Sequence, residues 1–159
     1  MRGFTLIELG LVVTVLAVLL LAATPRFQGT AERLRTEQRA FELAHLLRYA
    51  RERAITQALE VRWRWDEEER RVAVEALGDS GQWARLEERV AQSAPLTSQM
   101  ALSVSDRQGE PVDCACVQFS PDGTTTPTSV VLRRGEEAFT VTVDGATGQP
   151  TVTAGLAPR

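Results

Sequence analysis

Lysine and asparagine are absent from this chain of 159 residues, so all 18 of its basic residues are arginine. Absent asparagine suits a hot environment, although heat-adapted proteins more often enrich lysine. Genomic codon bias explains both absences more simply, and neither carries a function. Histidine occurs once, as His45. A nucleophile needs a base within hydrogen-bond reach and an acid to orient it, and a lone histidine on a helical segment supplies neither. Cysteine occurs twice, as Cys114 and Cys116. A structural zinc site needs four ligands, and these two thiols with one remote imidazole fall short. The net charge of -3 leaves no general basic footprint for nucleic acid. Internal repeats and low-complexity tracts are missing, and beyond residue 23 no long apolar run recurs.

The first run is the chain's strongest feature. Residues 4–23 are apolar or small at every position except Glu8. As a helix the run reaches about 30 Å, the thickness of one hydrocarbon core. A lone carboxylate at the centre of such a helix costs roughly 2.5–3.5 kcal/mol, and less near an end. Glu8 stands one turn from the start, so the interface relieves part of that cost. Two readings remain for the rest: an interfacial acid that reaches water, or an ion-pair partner to a cation supplied by another subunit. A secretory signal peptide is the alternative for the whole segment, with Ala22-Ala23 imitating a cleavage site. The length of the run, the near-absent basic region before it and the early acid all weigh against that.

Past Pro25 the chain reads as helix to about Leu59. Ala40, Leu43, Ala44, Leu47, Ala50, Ala54 and Ala58 recur at helical spacing and form one apolar stripe. Arg33 with Glu37 and Arg48 with Glu52 are candidate i,i+4 pairs. At Val61 the period switches to alternation. Val61, Trp63 and Trp65 face one way and Arg62 and Arg64 the other, and after an acidic turn at residues 66–69 Val72, Val74 and Ala76 continue a hairpin. Residues 83–90 read either as strand or as short helix. Residues 100–104, 112–119, 130–133, 139–143 and 151–153 are further strands, with turns at Gly78-Asp79-Ser80-Gly81, Pro121-Asp122-Gly123, Gly135 and Asp144-Gly145.

Gly3-Phe4-Thr5-Leu6-Ile7-Glu8 resembles the processing motif of class III signal peptides, found in type IV pilins and type II secretion pseudopilins. The resemblance implies cleavage by prepilin peptidase between Gly3 and Phe4 on the cytoplasmic side, with N-methylation of Phe4. It also implies that Glu8 pairs with the terminal amine of a neighbouring subunit during assembly. A buried acid left unpaired would then penalise misregistered subunits. Arg2 places positive charge on the cytoplasmic side. Pro25 matches a proline that kinks or loosens the helix in such subunits. Gly10 and Thr14 form a small-xxx-small pair of the kind that lets helices approach closely in lipid. Gly10 departs from the family, which more often carries a bulky aliphatic there.

The passage Leu47-Arg48-Tyr49-Ala50-Arg51-Glu52-Arg53-Ala54-Ile55, leading into Val61-Arg62-Trp63, is similar to the helix-to-strand passage of H-type minor pseudopilins, the general secretion pathway protein H family. Phe119-Ser120-Pro121-Asp122-Gly123 and Asp144-Gly145 resemble the C-terminal half of that family. The implied fold is α+β: a long N-terminal helix packed on an antiparallel β domain with two sheets. The expected organisation is a prepilin leader at 1–3, a transmembrane half of the helix at 4–24, an amphipathic half at 25–60 and a β-rich globular domain at 61–159. A fragment starting near Arg26 or Thr30 is expected to fold in solution. The implied place is the bacterial inner membrane, crossed once, with the globular domain in the periplasm and the chain incorporated into a pilus or pseudopilus. The implied partners are other pilins or pseudopilins, prepilin peptidase and an inner-membrane assembly platform.

Other chemistry reads more weakly. The segment Gly78-Asp79-Ser80-Gly81 resembles the nucleophile segment of trypsin-like proteases but lacks a base, and reads as a turn. Residues 66–69 are a solvated acidic turn without the staggered ligands and sharp-turn glycine of a calcium site. Neither an enzyme nor a cofactor is expected. Alternation places Cys114 and Cys116 on one face of a strand, as a strained disulfide or as buried thiols. The alternative function is a minor pilin that captures DNA through Arg62, Arg64, Arg70 and Arg71, with Glu67, Glu68 and Glu69 between them opposing it. A secreted enzyme with an ordinary signal peptide is a third and weaker class.

Overall fold

The structure is a computed structural model that describes the backbone of residues 5–155 and the side chains of residues 5–19 and 31–155. Helix α1 runs Leu6–Gln57. Eight strands follow: β1 (Val61–Asp66), β2 (Arg71–Leu77), β3 (Trp83–Arg85), β4 (Met100–Asp106), β5 (Cys116–Phe119), β6 (Thr128–Arg134), β7 (Glu137–Val143) and β8 (Pro150–Ala154). A short 3-10 helix, Arg89–Ala91, lies between β3 and β4. The chain forms two compact units, Met1–Arg35 and Thr36–Arg159. The first is helical from Leu6 onward.

In the second unit the C-terminal part of α1 packs on two four-stranded antiparallel sheets, ordered β3-β2-β1-β5 and β4-β6-β7-β8. This is the α+β fold expected. The apolar stripe carries the packing: Ala40, Leu43, Ala44, Leu47, Ala50 and Ala54 are all buried, joined by Leu46. Alanine at four of those positions holds the helix close to the sheets. In the first sheet Val61 and Trp63 of β1, Val72 and Val74 of β2, and Val117 and Phe119 of β5 fill one side of the core. In the second sheet Val130, Leu132, Phe139, Val141 and Val143 fill the other. The alternating face of each strand is what lets one core serve both sheets.

Three elements differ from the sequence reading. The helix ends at Gln57, and Ala58 is exposed with φ 53° instead of closing the stripe. The Leu59 amide donates to the Ala54 carbonyl at 3.3 Å, which caps the helix in the Schellman pattern with Ala58 in the left-handed position usually given to glycine. Holding alanine there costs about 1–2 kcal/mol, while glycine would add about 0.4–1 kcal/mol of unfolded-state entropy. Ala58→Gly is therefore expected to stabilise the domain by about 0.5–1 kcal/mol, read as a higher urea midpoint. An unchanged or lower midpoint would show that the strain is relieved elsewhere.

The ambiguous stretch 83–90 is both things in turn. Strand β3 ends at Arg85, and the 3-10 helix starts at Arg89. Between them Glu88 is drawn to α1, accepting from the Tyr49 hydroxyl at 2.5 Å and from Arg53 Nη2 at 2.8 Å. That anchor takes the chain off the sheet. Burial and the bond to Glu88 raise the Tyr49 pKa.

Strand β5 begins only at Cys116, four residues later than expected from alternation. Ala115 adopts φ 44°, and its carbonyl accepts from the Trp65 amide at 3.0 Å. A left-handed residue cannot continue a pleat. Residues 112–115 are thus a turn that delivers the chain to β1, and Cys114 does not share a strand face with Cys116.

Candidate assembly surfaces

At the N-terminal end of α1, Thr5 caps the helix. The Glu8 amide donates to Thr5 Oγ1 at 3.3 Å, and the Leu9 amide donates to the Thr5 carbonyl at 3.2 Å. Thr5-Leu6-Ile7-Glu8 has the Thr-x-x-Glu spacing of a capping box, a signal readable in the sequence and overlooked there. Glu8 thus occupies the first helical turn, where the helix dipole favours a carboxylate. Around it Leu6, Ile7, Leu11 and Val13 are more than half exposed. A continuous apolar face of this kind marks a lipid or protein contact. Thr14 Oγ1 donates to the Gly10 carbonyl at 2.8 Å, so its hydroxyl is satisfied within the helix. A Cβ at Gly10 would meet nothing, so the surface there is open to close approach.

Among the described residues, no helix is long and apolar enough to cross a membrane. The expected span 4–24 extends past the last described side chain before the gap, Leu19. The leader 1–3 with Arg2 and Gly3, and Phe4 itself, lie outside the described residues. At Pro25 the backbone is helical and the side chain is outside them.

The arginines considered for nucleic acid are already engaged. Glu75 of β2, 8% exposed in its side chain, pairs with Arg62 at 2.5 Å and Arg64 at 3.2 Å. Arg62 also lies 4.3 Å over the Trp83 ring. Arg71 pairs with Glu69 at 3.3 Å. Arg70 donates to the carbonyls of Thr97 at 2.8 Å and Met100 at 2.6 Å, fastening the β1–β2 turn to the start of β4. Asp66 and Glu69 of the acidic turn also hold Arg85. The Asp66 carboxyl is held below its usual pKa, first by the Glu69 amide. Arg62, Arg64 and Arg71 are thus paired with carboxylates, and paired arginines release few counterions on a phosphate backbone, while Arg70 is held in place by carbonyls that leave its charge uncancelled.

On the helix, Arg39 pairs with Glu42 at 2.5 Å. The expected pairs Arg33–Glu37 and Arg48–Glu52 do not close among the described residues. Ser80 lies in the exposed β2–β3 turn and His45 on α1, on separate elements. Among the described residues, no group of three or more His, Cys, Asp or Glu is placed to hold a metal. The sulfurs of Cys114 and Cys116 are bonded, with Cα atoms 5.1 Å apart. Cys114 is exposed and Cys116 buried, so the two are not a buried pair.

The C-terminal turns converge on α1. Asp122 accepts from the amide and hydroxyl of Thr124, and Asp144 from the hydroxyl and amide of Thr147, and these bonds hold both carboxyls below their usual pKa. Gly148 adopts φ 64°, and a Cβ there would overlap the Gly123 carbonyl oxygen and press on Arg51 of α1. These turns are the segments the sequence singled out at Pro121-Asp122-Gly123 and Asp144-Gly145.

The profile of the family described as Type II transport protein GspH matches residues 39–148. That match begins on α1 and ends just before β8. No curated protein matches by sequence. Among solved structures, the minor pseudopilin EpsH from the type 2 secretion system of Vibrio cholerae is similar with a TM-score of 0.61 at 21% identity, over 75% of this chain and 96% of that one. A crystal structure of the same Vibrio cholerae pseudopilin gives 0.55 at 19% identity, over 76% and 92%. The type IV minor pilin FimU of Pseudomonas aeruginosa gives 0.55 at 13% identity, over 80% and 92%. At these identities the structural likeness is one of fold, whereas the profile matches the sequence itself.

Proposed function

The chain belongs to the GspH family of type II transport proteins, and from that premise we propose that it reaches its filament by prepilin processing and a single-pass anchor in the bacterial inner membrane. The family makes it a minor pilin-like subunit of a pseudopilus or type IV pilus that assembles with other pilins or pseudopilins. In the proposal, prepilin peptidase cuts between Gly3 and Phe4, and the methylated Phe4 amine becomes a cation. The apolar helix then holds the subunit in the membrane until an assembly platform draws it into the filament. The globular domain stands in the periplasm, where the bond between Cys114 and Cys116 persists.

One observation carries the reading: the exposed apolar face of α1 holds a single carboxylate, Glu8, in its first turn. Water disfavours that face, and lipid disfavours the lone acid. A bundle of like helices, each offering an amine to its neighbour's Glu8, accommodates both. The reading assigns the chain no catalytic step and no cofactor. The nucleic-acid alternative is not favoured, because the arginines it needs are spent on carboxylates and carbonyls. Processing gives the direct test. Intact-mass measurement of protein extracted from membranes is expected to show a chain starting at methylated Phe4. A mature start at Thr24 would replace this reading with secretory cleavage.

A further inference from the structure

Where α1 passes the 3-10 helix, the second unit carries a groove of about 460 Å³. Buried Leu46, exposed Phe41 and Val90, and His45 are among the residues that line it. Phe41 is 56% exposed and Val90 53%, although every other aliphatic or aromatic residue nearby on that stretch of helix, from Leu43 to Leu47, is packed inside. Two large apolar side chains exposed along one groove are a surface suited to an apolar partner.

The rim sets the partner's charge. Glu42 at the rim is already engaged, with one oxygen on Arg39 and the other accepting the Ala94 amide at 3.2 Å. Glu88, next to Arg89, is spent on Tyr49 and Arg53. Glu87 is exposed and does not line the groove. Arg89 does line it, and has no ion-pair partner among the described residues. An apolar cleft with one unneutralised guanidinium at its lip complements an apolar side chain followed within a turn by a carboxylate.

We propose that this groove seats a neighbouring pilin-like subunit of the filament, through an apolar side chain buried between Phe41 and Val90 and a carboxylate paired with Arg89. The proposal rests on the filament reading and adds to it a contact made by the globular domain, separate from the Glu8 contact. The Arg89 pair would set orientation and the apolar contact would supply most of the affinity.

The test uses the full chain in membranes carrying the wild-type machinery. A photo-crosslinking amino acid is placed at Phe41 or Val90, with exposed Gln108 in the β4–β5 turn as the control. Crosslinks to a pilin-like subunit from positions 41 and 90 are expected, at about fivefold or more over position 108. Arg89→Glu is expected to reduce them about fivefold, and Arg89→Gln to reduce them less. Because Arg89 is exposed, neither variant should alter protease resistance of the domain, which confirms that folding is kept. Filaments that contain the chain but give no excess at 41 and 90 would overturn the groove alone. Crosslinks only to lipid would also overturn it. A folded, membrane-held chain that enters no filament would overturn the filament reading, and this proposal with it.

Discussion

Trp63→Ala is expected to cost the domain about 3–5 kcal/mol, a large share of the roughly 5–15 kcal/mol that a native domain holds in reserve. Trp63 is fully buried at the middle of β1 and heads the large side chains that have no exposure. Its neighbours across the sheet are Val74 on one side and Val117 on the other. Those valines cannot relax into the space, because each strand is pinned by its ladder. The cavity would therefore persist, which places the cost at the upper end of the large-to-small range. Trp63→Phe is expected to be much milder, at about 1–2 kcal/mol. The indole Nε1 is buried and has no hydrogen-bond partner among the described residues, so losing that N–H removes a desolvation penalty and offsets part of the lost volume. Urea unfolding of a fragment starting near Thr30, followed by far-UV circular dichroism, checks both. A loss below about 1 kcal/mol for Trp63→Ala would mean that the core repacks freely around β1.

The parts of this fold legible in the sequence were those written in periodicity. The stripe from Ala40 to Ala54 repeats at helical spacing because a single face meets the sheets, and every one of those residues is buried. The β1–β2 hairpin and the turn at Gly135 were equally plain, since alternation and turn residues are local signals. What escaped was set by contacts between distant residues. Nothing near Glu88 reveals that Tyr49 and Arg53, more than thirty positions earlier, will pull it from the sheet. Left-handed backbone at Ala58 and Ala115 escaped for another reason: alanine is a poor marker of positive φ, so a helix end and a strand start were both misplaced. Of the four arginines, Arg71 pairs with Glu69, one of the opposing acids already plain in the sequence, whereas the partners of Arg62, Arg64 and Arg70, which are Glu75, Thr97 and Met100, lie across strands or beyond the hairpin and were not. The Phe41–Val90 groove had no sequence signature, since it joins one exposed residue of a helix to one exposed residue of a 3-10 turn.

Glu8→Leu is expected to leave the subunit in the membrane and to abolish its efficient entry into the filament. Removing the carboxylate removes a group that costs roughly 2.5–3.5 kcal/mol deep in a bilayer and less near its edge, so insertion should hold or improve. Cleavage after Gly3 should continue, because the peptidase motif is read chiefly at that glycine and around the cut. The structure adds a second role that must be separated from assembly. Thr5 caps α1, and Glu8 in the first turn favours the helix end, an effect of about 0.3–1 kcal/mol. Leucine at position 8 removes both the dipole interaction and the ion pair. Glutamine also loses the charge, and with it the dipole interaction and the ion pair, but it keeps a side-chain hydrogen-bonding group of the kind that completes a capping box. Under the assembly reading, Glu8→Gln can still accept a hydrogen bond from the neighbour's amine but loses the charge pairing, so crosslinking to partner subunits should fall between wild type and Glu8→Leu. If capping were the whole function, Glu8→Gln would crosslink as wild type does, and Glu8→Leu would be rescued by strengthening the cap with Thr5→Asp. The decisive measurement is crosslinking to pilin partners in membranes with the wild-type machinery, alongside secretion or piliation. Undiminished crosslinking and output from Glu8→Leu would reduce Glu8 to an interfacial acid, and the exposed apolar face of α1 would then have to find its register from shape alone.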